Sequence, residues 1–476
     1  MSTHDQRAGV EPTDEEPEPP RGRWAERVTF SDAVGGSSFA YRTEQLLTAG
    51  GDAARESIMT RNSGAREAGR VGKFTLFEGV TDPIAESELL RMEGFQSQPN
   101  HVFFSHCGCA CCPPHPAAAC GESPGANSVN ASRLFAAPVY ATPVYATLNA
   151  TPVYATPVYA TPNSAYRTTG LRRSSVRPAP IGTPLKAVAT LVATQPTADT
   201  PHVIVLDTGL ADPDYRPPFS SSVVASTRGV NVDVPDEDSP KDDYLDPAAG
   251  HGTFIAGLIT QVAPGCRVTL HRVLSTFGDG DEYKIARRID RIAADLVAAP
   301  VAGQPKEDPI RTVLSLSFGG YAFKDPQVLA VSIAAIQALG VVVVASAGND
   351  GTCRPPLPAG LPNVVSVGAI GPLGPAAFSN YGPWVKACAP GVDLLSTFFI
   401  KFKGKTPAGA DGVDPDNFDG WALWSGTSFS APVVAGALAR TMLADPACSA
   451  KTAVERVVDA PALMRIPNLG TVVNVI

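Results

Sequence analysis

The sequence Val203-Ile-Val-Leu-Asp-Thr-Gly209 places four consecutive aliphatic residues directly before an acidic residue and a glycine. A short apolar run of this kind, rich in β-branched residues and bounded by a turn signal, predicts a strand that is buried on both faces. Asp207 is therefore expected at the end of a buried strand, where the sheet holds it rigidly. Alone it is a weak signal, because aspartates are common in loops.

Comparable apolar runs recur through the second half of the chain. They predict strands at Val313–Leu316, Val341–Val344 and Val364–Val367. Helical spacing of apolar residues predicts a helix over residues 284–299, and another is predicted at Pro326–Leu339. Strands that alternate with helices indicate an α/β fold, with a mostly parallel sheet and helices on both faces. Ligands of such sheets bind at the carboxyl ends of the strands.

Three further polar residues occupy positions suited to catalysis. His251 lies in Gly-His-Gly-Thr-Phe-Ile-Ala-Gly-Leu (250–258), at the start of an apolar helical stretch. Ser428 lies in Ser-Gly-Thr-Ser-Phe-Ser-Ala-Pro-Val-Val-Ala-Gly (425–436), also just before a helix. The free N–H groups of a helix N-terminus favour a nucleophile whose product is an oxyanion. Asn349 lies in Ser-Ala-Gly-Asn-Asp (346–350), and its side-chain amide can donate to a developing oxyanion.

In the order Asp, His, Asn, Ser, these motifs resemble those of the subtilisin (subtilase) family of serine peptidases. Further family-like stretches lie between them, namely Gln-Val-Ala-Pro-Gly (261–265), Ser-Phe-Gly-Gly (317–320), Asn-Val-Val-Ser-Val-Gly-Ala (363–369), Phe-Ser-Asn-Tyr-Gly (378–382) and Ala-Pro-Gly-Val (389–392). The resemblance covers residues 200–476 and implies a subtilisin-like α/β fold. Four catalytic motifs in order, separated by these stretches, form a very specific pattern.

The resemblance also implies the role of each catalytic residue. Ser428 would attack the peptide carbonyl, His251 would take its proton, and Asp207 would orient His251. Asn349 and the backbone N–H of Ser428 would bind the oxyanion, so the chemistry would need no metal or other cofactor. These assignments predict a serine endopeptidase whose partners are protein or peptide substrates.

By the same resemblance, two segments form the walls of the pocket for the residue before the cleaved bond. They are Ser317, Phe318 and Gly319 on one side and Ser346, Ala347 and Gly348 on the other. Backbone edges there would bind the substrate as an added strand. Neither wall contains an acidic residue, which favours an apolar preference over a basic one. Phe318 is bulkier than the leucine usual in the family, which leaves the depth of the pocket open.

The N-terminal part divides into an acidic disordered tail (1–23) and a small α+β unit (24–106). Strands are predicted at Phe39–Leu47, 73–77 and His101–Phe104, with helices at Asp52–Ala68 and Pro83–Glu93. This order approaches a ferredoxin-like arrangement. Residues 90–104 are similar to the end of a subtilase propeptide. The unit is accordingly interpreted as an inhibitory prodomain, the alternative being an accessory domain that stays attached.

Residues 107–182 show no pattern of a folded core. Pro-Val-Tyr-Ala-Thr repeats begin at Pro138, Pro143, Pro152 and Pro157, and proline at this spacing excludes a helix, so an extended linker is predicted. The repeated tyrosines leave open a recognition array. The arginines that follow (Arg167, Arg172, Arg173 and Arg177) mark a candidate cleavage site or ordinary linker charge. The peptidase domain is predicted over residues 183–476.

Cysteine and histidine are concentrated in one short segment: His101, His106, Cys107, Cys109, Cys111, Cys112, His115 and Cys120. Sulfur and imidazole ligands at this density suit zinc or Cu(I), although the spacing is not that of a standard zinc site. Three interpretations stay open for the Cys107–Cys120 cluster: a structural metal, disulfides or redox sensing, and no defined role.

Composition limits the remaining function classes. The formal charge of −8 argues against nucleic acid as the main partner, and no apolar run is long enough to predict a membrane span. The first residues lack a signal-peptide pattern, which favours the cytoplasm while leaving export by an unusual route open. The acidic loop Asp233–Asp246 is interpreted as a solvated surface.

Three functional hypotheses follow from this sequence. The first is an active endopeptidase made as a self-inhibited precursor, with its own prodomain as a partner. The second is a catalytically silent binding protein of the same fold. The third is a dedicated processing enzyme with very few substrates.

Overall fold

A computed structural model describes two packed units of the chain. The N-terminal unit comprises residues 28–31 and 39–105. The C-terminal unit comprises residues 176–179, 197, 199–216, 223–225, 232–237, 241, 243–298, 308–323, 327–406, 414–473 and 475. The predicted acidic tail, the Cys107–Cys120 cluster and the proline-rich repeats lie outside the described residues. Within the described ranges, no helix combines the length and hydropathy needed to cross a membrane.

The N-terminal unit is a sheet with two helices on it. Its elements are β1 (Val28–Phe30), β2 (Ala40–Ala49), α1 (Gly51–Arg61), β3 (Arg66–Val71), β4 (Phe74–Glu78), α2 (Pro83–Met92) and β5 (Gln96–Ser105). The strands are antiparallel in the order β5-β2-β4-β3, and β1 pairs with β2. Leu46, Ile58, Phe77 and Leu90 form the core between sheet and helices.

The helix predicted at Asp52–Ala68 is shorter than expected, because the chain turns at Asn62 and enters β3. The Asn62 amide donates to Ile58 O at 3.3 Å and to a Glu86 carboxylate oxygen at 3.0 Å. The amide oxygen accepts from Thr81 N. A side chain that hydrogen-bonds the end of its own helix and a second helix favours termination at this point. Residues 66–71 form β3 by pairing with β4, and no local sequence pattern predicted this strand.

Strands and helices alternate along most of the C-terminal unit. Its strands are β6 (Arg177–Pro178), β7 (His202–Asp207), β8 (Leu210–Ala211), β9 (Val223–Ala225), β10 (Val232–Asp233), β11 (Arg267–Arg272), β12 (Asp279–Asp281), β13 (Thr312–Leu316), β14 (Phe318–Gly319), β15 (Val342–Ser346), β16 (Val364–Gly371), β17 (Gly374–Pro375), β18 (Ala387–Pro390), β19 (Leu394–Ile400), β20 (Asp419–Trp424), β21 (Arg465–Ile466) and β22 (Gly470–Val472). Its helices are α3 (His251–Val262), α4 (Glu282–Val297), α5 (Val328–Ala338), α6 (Thr427–Ala444) and α7 (Ala450–Val454), with a 3₁₀ turn at Pro309–Arg311 and a π turn at Glu455–Asp459.

The central sheet of this unit has ten strands and confirms the predicted α/β class. Its order is β21-β22-β18-β16-β15-β13-β7-β11-β9, with β17 paired to β16. All neighbours from β22 to β9 are parallel. Side chains alternate between two cores, since Val203 and Val205 face α3 and α6 whereas Ile204 and Leu206 face α4 and α5. Helices therefore cover both faces.

The two units are connected through strand β5 of the N-terminal unit. Strand β5 lies between β12 and β14 of the C-terminal unit and is antiparallel to both. Phe103 of β5 is wholly buried and packs in the same apolar cluster as Phe318 and Leu206. The N-terminal unit is thus joined to the C-terminal unit by backbone pairing and by a common core.

The C-terminal end of the predicted linker is part of the C-terminal unit. Arg177 and Pro178 form β6, which pairs with β20. The Arg177 guanidinium lies 2.9 Å from a carboxylate oxygen of Asp393. This arginine of the predicted basic patch is therefore part of the folded unit.

Candidate active site

Asp207 and His251 meet at the carboxyl edge of the central sheet. Asp207 is the last residue of β7, and His251 is the first residue of α3. His251 Nδ1 lies 2.7 Å from Asp207 Oδ1, and both side chains are wholly buried. The same carboxylate oxygen accepts a hydrogen bond from Thr208 N at 2.8 Å. Because an ionised carboxylate can only accept, Nδ1 carries the hydrogen and Nε2 carries the lone pair that a general base needs.

Glycine allows helix α3 to approach the turn after β7. A Cβ atom on Gly252 would lie 2.3 Å from Gly209 O, which is a backbone atom and cannot move aside. Gly252 N instead donates to Thr208 Oγ1 at 3.0 Å. Gly250 has a φ of 81°, and a Cβ there would lie 2.2 Å from the Phe398 ring. The glycines on either side of His251 are therefore required by close packing.

Ser428 is the second residue of α6, at the site predicted for a nucleophile. Its Oγ donates to Ser317 O at 2.9 Å, and Ser317 Oγ donates back to Ser428 O at 2.8 Å. The next residue, Phe429, packs its ring 5.2 Å from the His251 ring, and Trp424 lies edge-on to that ring at 5.4 Å. These aromatic contacts exclude water from one side of the imidazole and hold it close to the start of α6.

Asn349 is held against the same helix terminus. Its Oδ1 accepts hydrogen bonds from Thr427 N at 3.0 Å and from Thr427 Oγ1 at 2.8 Å. With Oδ1 fixed as an acceptor, the other branch of the amide is the N–H donor. The amide donor and the Ser428 backbone thus belong to one small region, as an oxyanion site requires.

The two predicted pocket walls both connect to the Thr427–Ser428 turn. Ser317 is bonded reciprocally to Ser428, and Gly348 N donates to Thr427 Oγ1 at 3.1 Å. Ala347 O accepts from the Asn380 side chain at 2.9 Å. Phe318 and Gly319 pair with Ser105 and Phe104 of β5, so this edge is occupied by a strand of the same chain. The side chain of Phe318 is buried in the core.

The acidic loop predicted as a solvated surface is partly buried instead. Asp233, Asp236 and Asp246 are each less than 5% exposed. Asp233 Oδ2 accepts from Thr208 Oγ1 at 2.6 Å and from Gly250 N at 2.8 Å. These bonds connect the turn after Asp207 with the residue before His251. Desolvation raises the pKa of the Asp233 carboxyl well above its usual range.

Asp233 was missed because a run of acidic residues usually indicates solvent. The local signal that could have identified it is the sequence Val230-Asn-Val-Asp233-Val, in which apolar residues alternate with polar ones as in a strand. Strand β12 and Glu282 border the cleft between β12 and β14 that β5 occupies, and both were also missed. Gly278-Asp-Gly-Asp281 reads as a turn, and only the partner strand β5 gives it strand geometry.

The described residues contain no group of three or more histidine, cysteine or acidic side chains placed to hold a metal ion. His101, which the sequence groups with the cysteine cluster, is hydrogen-bonded to residues of the C-terminal unit. Its Nδ1 lies 2.6 Å from Glu282 Oε2, and its Nε2 accepts from Phe323 N at 2.9 Å. Among the cysteines of the described ranges, Cys353 is disulfide-bonded, and three are free and buried, namely Cys266, Cys388 and Cys448.

The C-terminal unit is similar in sequence to known proteins. Residues 199–464 match the family model described as "Subtilase family". A thermophilic serine proteinase of Bacillus sp. (strain AK1) is 31% identical over 247 residues, which cover 49% of this chain and 50% of the relative. Subtilisin Savinase of Lederbergia lenta is 30% identical over 258 residues, which cover 52% of this chain and 78% of the relative. This chain spans about half the length of several curated relatives that it matches.

One solved structure extends the similarity of fold beyond the C-terminal unit. It is fervidolysin from Fervidobacterium pennivorans, described as a keratinolytic enzyme related to subtilisin. The TM-score is 0.53 at 19% identity, and the alignment covers 91% of this chain and 60% of that one. At this identity the match shows only that the two folds are similar.

Proposed function

This chain belongs to the subtilase family, and from that premise we propose that it is a serine endopeptidase acting through Asp207, His251 and Ser428. The observation that carries the proposal is the 2.7 Å bond between His251 Nδ1 and Asp207 Oδ1, in a wholly buried pair close to the start of α6. Protein or peptide chains are the proposed substrates, and the chemistry uses side chains and backbone groups only.

The proposed reaction follows from the acid–base properties of these groups. Ser428 Oγ turns from Ser317 O towards His251 and attacks the peptide carbonyl, while His251 Nε2 accepts the proton. Asp207 stabilises the imidazolium that forms. The Asn349 amide and the Ser428 N–H donate to the oxyanion. His251 then protonates the leaving amine, and a water molecule hydrolyses the acyl-enzyme by the reverse sequence of proton transfers.

The N-terminal unit is proposed to be an inhibitory prodomain. Its β-α-β-β-α-β order, after β1, is that of a ferredoxin-like unit. Strand β5 adds to the edges β12 and β14 in the way that a bound peptide would. Arg42 of β2 is ion-paired to Asp279 of β12 at 2.7 Å, and Asn100 Oδ1 accepts from Tyr283 N at the start of α4. A substrate would have to displace these contacts.

The register of β5 indicates where self-cleavage would begin. Ser105 pairs with Phe318, and Ser105 N donates to Gly278 O at 2.8 Å. Ser317 directly precedes Phe318, and its carbonyl oxygen is 2.9 Å from Ser428 Oγ, so β5 ends one register position from a residue that contacts the proposed nucleophile. We therefore propose a first cut directly after β5. A later cut in the basic segment at Arg167–Arg173, before the folded Arg177, would trim the linker.

The test is to follow the purified protein and a Ser428→Ala variant over time by intact mass. The wild type should lose the N-terminal unit and yield a fragment that begins shortly after Ser105, whereas the variant should stay at full length. A fluorophosphonate probe should label the wild type at Ser428 only.

Each other outcome has a defined meaning. If both proteins stay intact and neither is labelled, the endopeptidase proposal fails and a catalytically silent binding protein takes its place. Labelling without shortening would keep the enzyme and refute self-processing. A first fragment that begins at Arg167–Lys186 would refute the cut after β5.

A further inference from the structure

Glu282, the first residue of α4, is a wholly buried carboxylate beside the strand that fills the cleft. Its Oε2 accepts hydrogen bonds from His101 Nδ1 at 2.6 Å and from Gln98 Nε2 at 2.7 Å. Its Oε1 accepts from Leu329 N at 2.9 Å. Two of the three donors thus come from β5 and one comes from the C-terminal unit itself.

The hydrogen bonds of His101 decide which of its ring nitrogens carries the hydrogen. Phe323 N donates to Nε2, so Nε2 carries a lone pair and Nδ1 carries the hydrogen. His101 therefore acts on Glu282 as a hydrogen-bond donor. Gln98 makes the same kind of contact through its amide, and its Oε1 accepts from Gln327 N at 2.7 Å.

The backbone register places this contact within an extended binding strand. Val102, Phe103 and Phe104 of β5 pair with Asp281, Gly280 and Asp279 of β12. His101 is the next residue outward and faces Glu282. Any peptide that pairs with β12 and β14 in the same register presents one side chain at this position.

Removal of β5 leaves Glu282 incompletely bonded. Oε1 keeps the Leu329 N–H, whereas Oε2 loses both of its donors. The burial of Glu282 includes the cover given by the N-terminal unit, so water reaches Oε2 once β5 leaves. A substrate that covers this oxygen again without a donor removes that water, which is costly, whereas a donor restores one of the strongest kinds of hydrogen bond in proteins. Arg42 leaves the neighbouring Asp279 and Asp281 at the same time, so this edge of the cleft becomes more negative.

We propose that Glu282 is a specificity-determining residue, which selects substrates that carry a hydrogen-bond donor at the position occupied by His101. The favoured side chains are neutral or cationic donors such as histidine, glutamine and lysine, and acidic side chains are rejected. This inference rests on the proposed endopeptidase function, since it concerns the substrate strand of the same cleft.

The test uses protein that has matured from the full chain and quenched fluorogenic peptides that copy residues 96–110, with serine at the two cysteine positions. One peptide keeps histidine at position 101, and the others carry glutamine, leucine or glutamate there. Cleavage is measured as kcat/KM. Binding of the same peptides, labelled with a fluorophore, is measured by anisotropy on the Ser428→Ala variant after trypsin cleavage of its linker at Arg167–Arg173 and separation of the N-terminal unit, so that the binding measurement does not depend on activity.

The histidine and glutamine peptides should exceed the leucine peptide about tenfold or more, the effect expected for a hydrogen bond to a charged group. The glutamate peptide should be the poorest. In a Glu282→Leu variant the ratio of histidine to leucine peptide should fall towards one. A Glu282→Gln variant keeps an acceptor and should retain part of the preference. An Asp295→Asn variant, on the exposed face of the same helix, should keep the full ratio.

The two measurements separate the inference from the function on which it rests. Preferential binding of the histidine peptide without cleavage would uphold the subsite and refute the endopeptidase. Equal cleavage, equal binding or no binding of the histidine and leucine peptides would overturn the subsite. Because the peptide series needs no substitution at Glu282, this result stands even if the Glu282→Leu variant fails to fold.

Discussion

The Nδ1 atom of His251 lies 2.7 Å from Oδ1 of Asp207, and neither side chain has any exposed surface. This contact joins the carboxyl end of β7 to the first turn of α3, two elements that are adjacent in space only through the fold. A buried imidazole needs such a partner for the proposed reaction, because the imidazolium that would form in acyl transfer would otherwise be strongly destabilised.

Replacing Asp207 with asparagine should therefore remove most of the activity while leaving the fold in place. An amide can donate to Nδ1, which would place the hydrogen on Nε2 and remove the general base. We expect kcat to fall about 10⁴-fold with little change in KM. The control is Asp214→Asn, an exposed aspartate near the same strand, which should behave as wild type. A loss of less than tenfold in Asp207→Asn would contradict the assigned role.

Removing the Asn349 amide should slow the chemical step without weakening substrate binding. For Asn349→Ala we expect kcat to fall about 10²–10³-fold, the range measured in subtilisin when its amide donor is removed. Asn349 also accepts from Thr427, so the matched variant is Thr427→Val, which removes the hydroxyl contact and keeps the amide. A clearly smaller effect of Thr427→Val would assign the loss to the donor. Equal effects on kcat would instead indicate a purely positional role.

Gly252→Ala should disturb the site through the backbone alone. The added Cβ would meet Gly209 O at 2.3 Å, which would push α3 and His251 away from Asp207. Because small misplacements of catalytic groups are costly, kcat should fall about tenfold to a hundredfold. Gly64→Ala is the control, since its Cβ would have only an ordinary contact at 3.7 Å with Gly79 O. Full activity in Gly252→Ala would show that the close approach is not needed.

The buried carboxyl of Asp233 should make stability depend on pH. Its pKa is raised in the folded state, so its contribution to stability is fully present below the unfolded pKa of about 3.9 and declines as pH rises through the folded pKa. Asparagine does not titrate, and its amide oxygen can accept the bonds from Thr208 and Gly250.

In a Ser428→Ala background, which prevents self-digestion, the melting temperature of Asp233→Asn should therefore improve relative to the parent as pH rises from 5 to 8. The measurement is a thermal unfolding series at matched ionic strength. A constant difference across this range, or one that shrinks with pH, would show that Asp233 does not carry the linkage.

Much of the candidate catalytic site was predictable because its residues lie in short, locally ordered motifs. Val203–Leu206 predicted the strand that ends at Asp207, and the apolar stretch that follows His251 predicted a helix that starts there. Ser428 and Asn349 were predicted in the same way, from a helix start and a strand end. The spacing of apolar residues predicted a mostly parallel sheet with helices on both faces. A strand buried on both faces is a short continuous apolar run, whereas an amphipathic helix has apolar residues every three or four positions.

The tertiary structure decided everything that depends on contacts between distant residues. β3, β12 and the burial of Asp233 each arise from a partner element that local propensity does not specify. The pairing of β5 with β12 and β14, and the contact of His101 with Glu282 across 181 positions, likewise follow only from the packing of the two units. The physical reason is that propensity and periodicity act within a few residues, whereas burial and strand pairing are set by whichever surfaces the folded chain brings together.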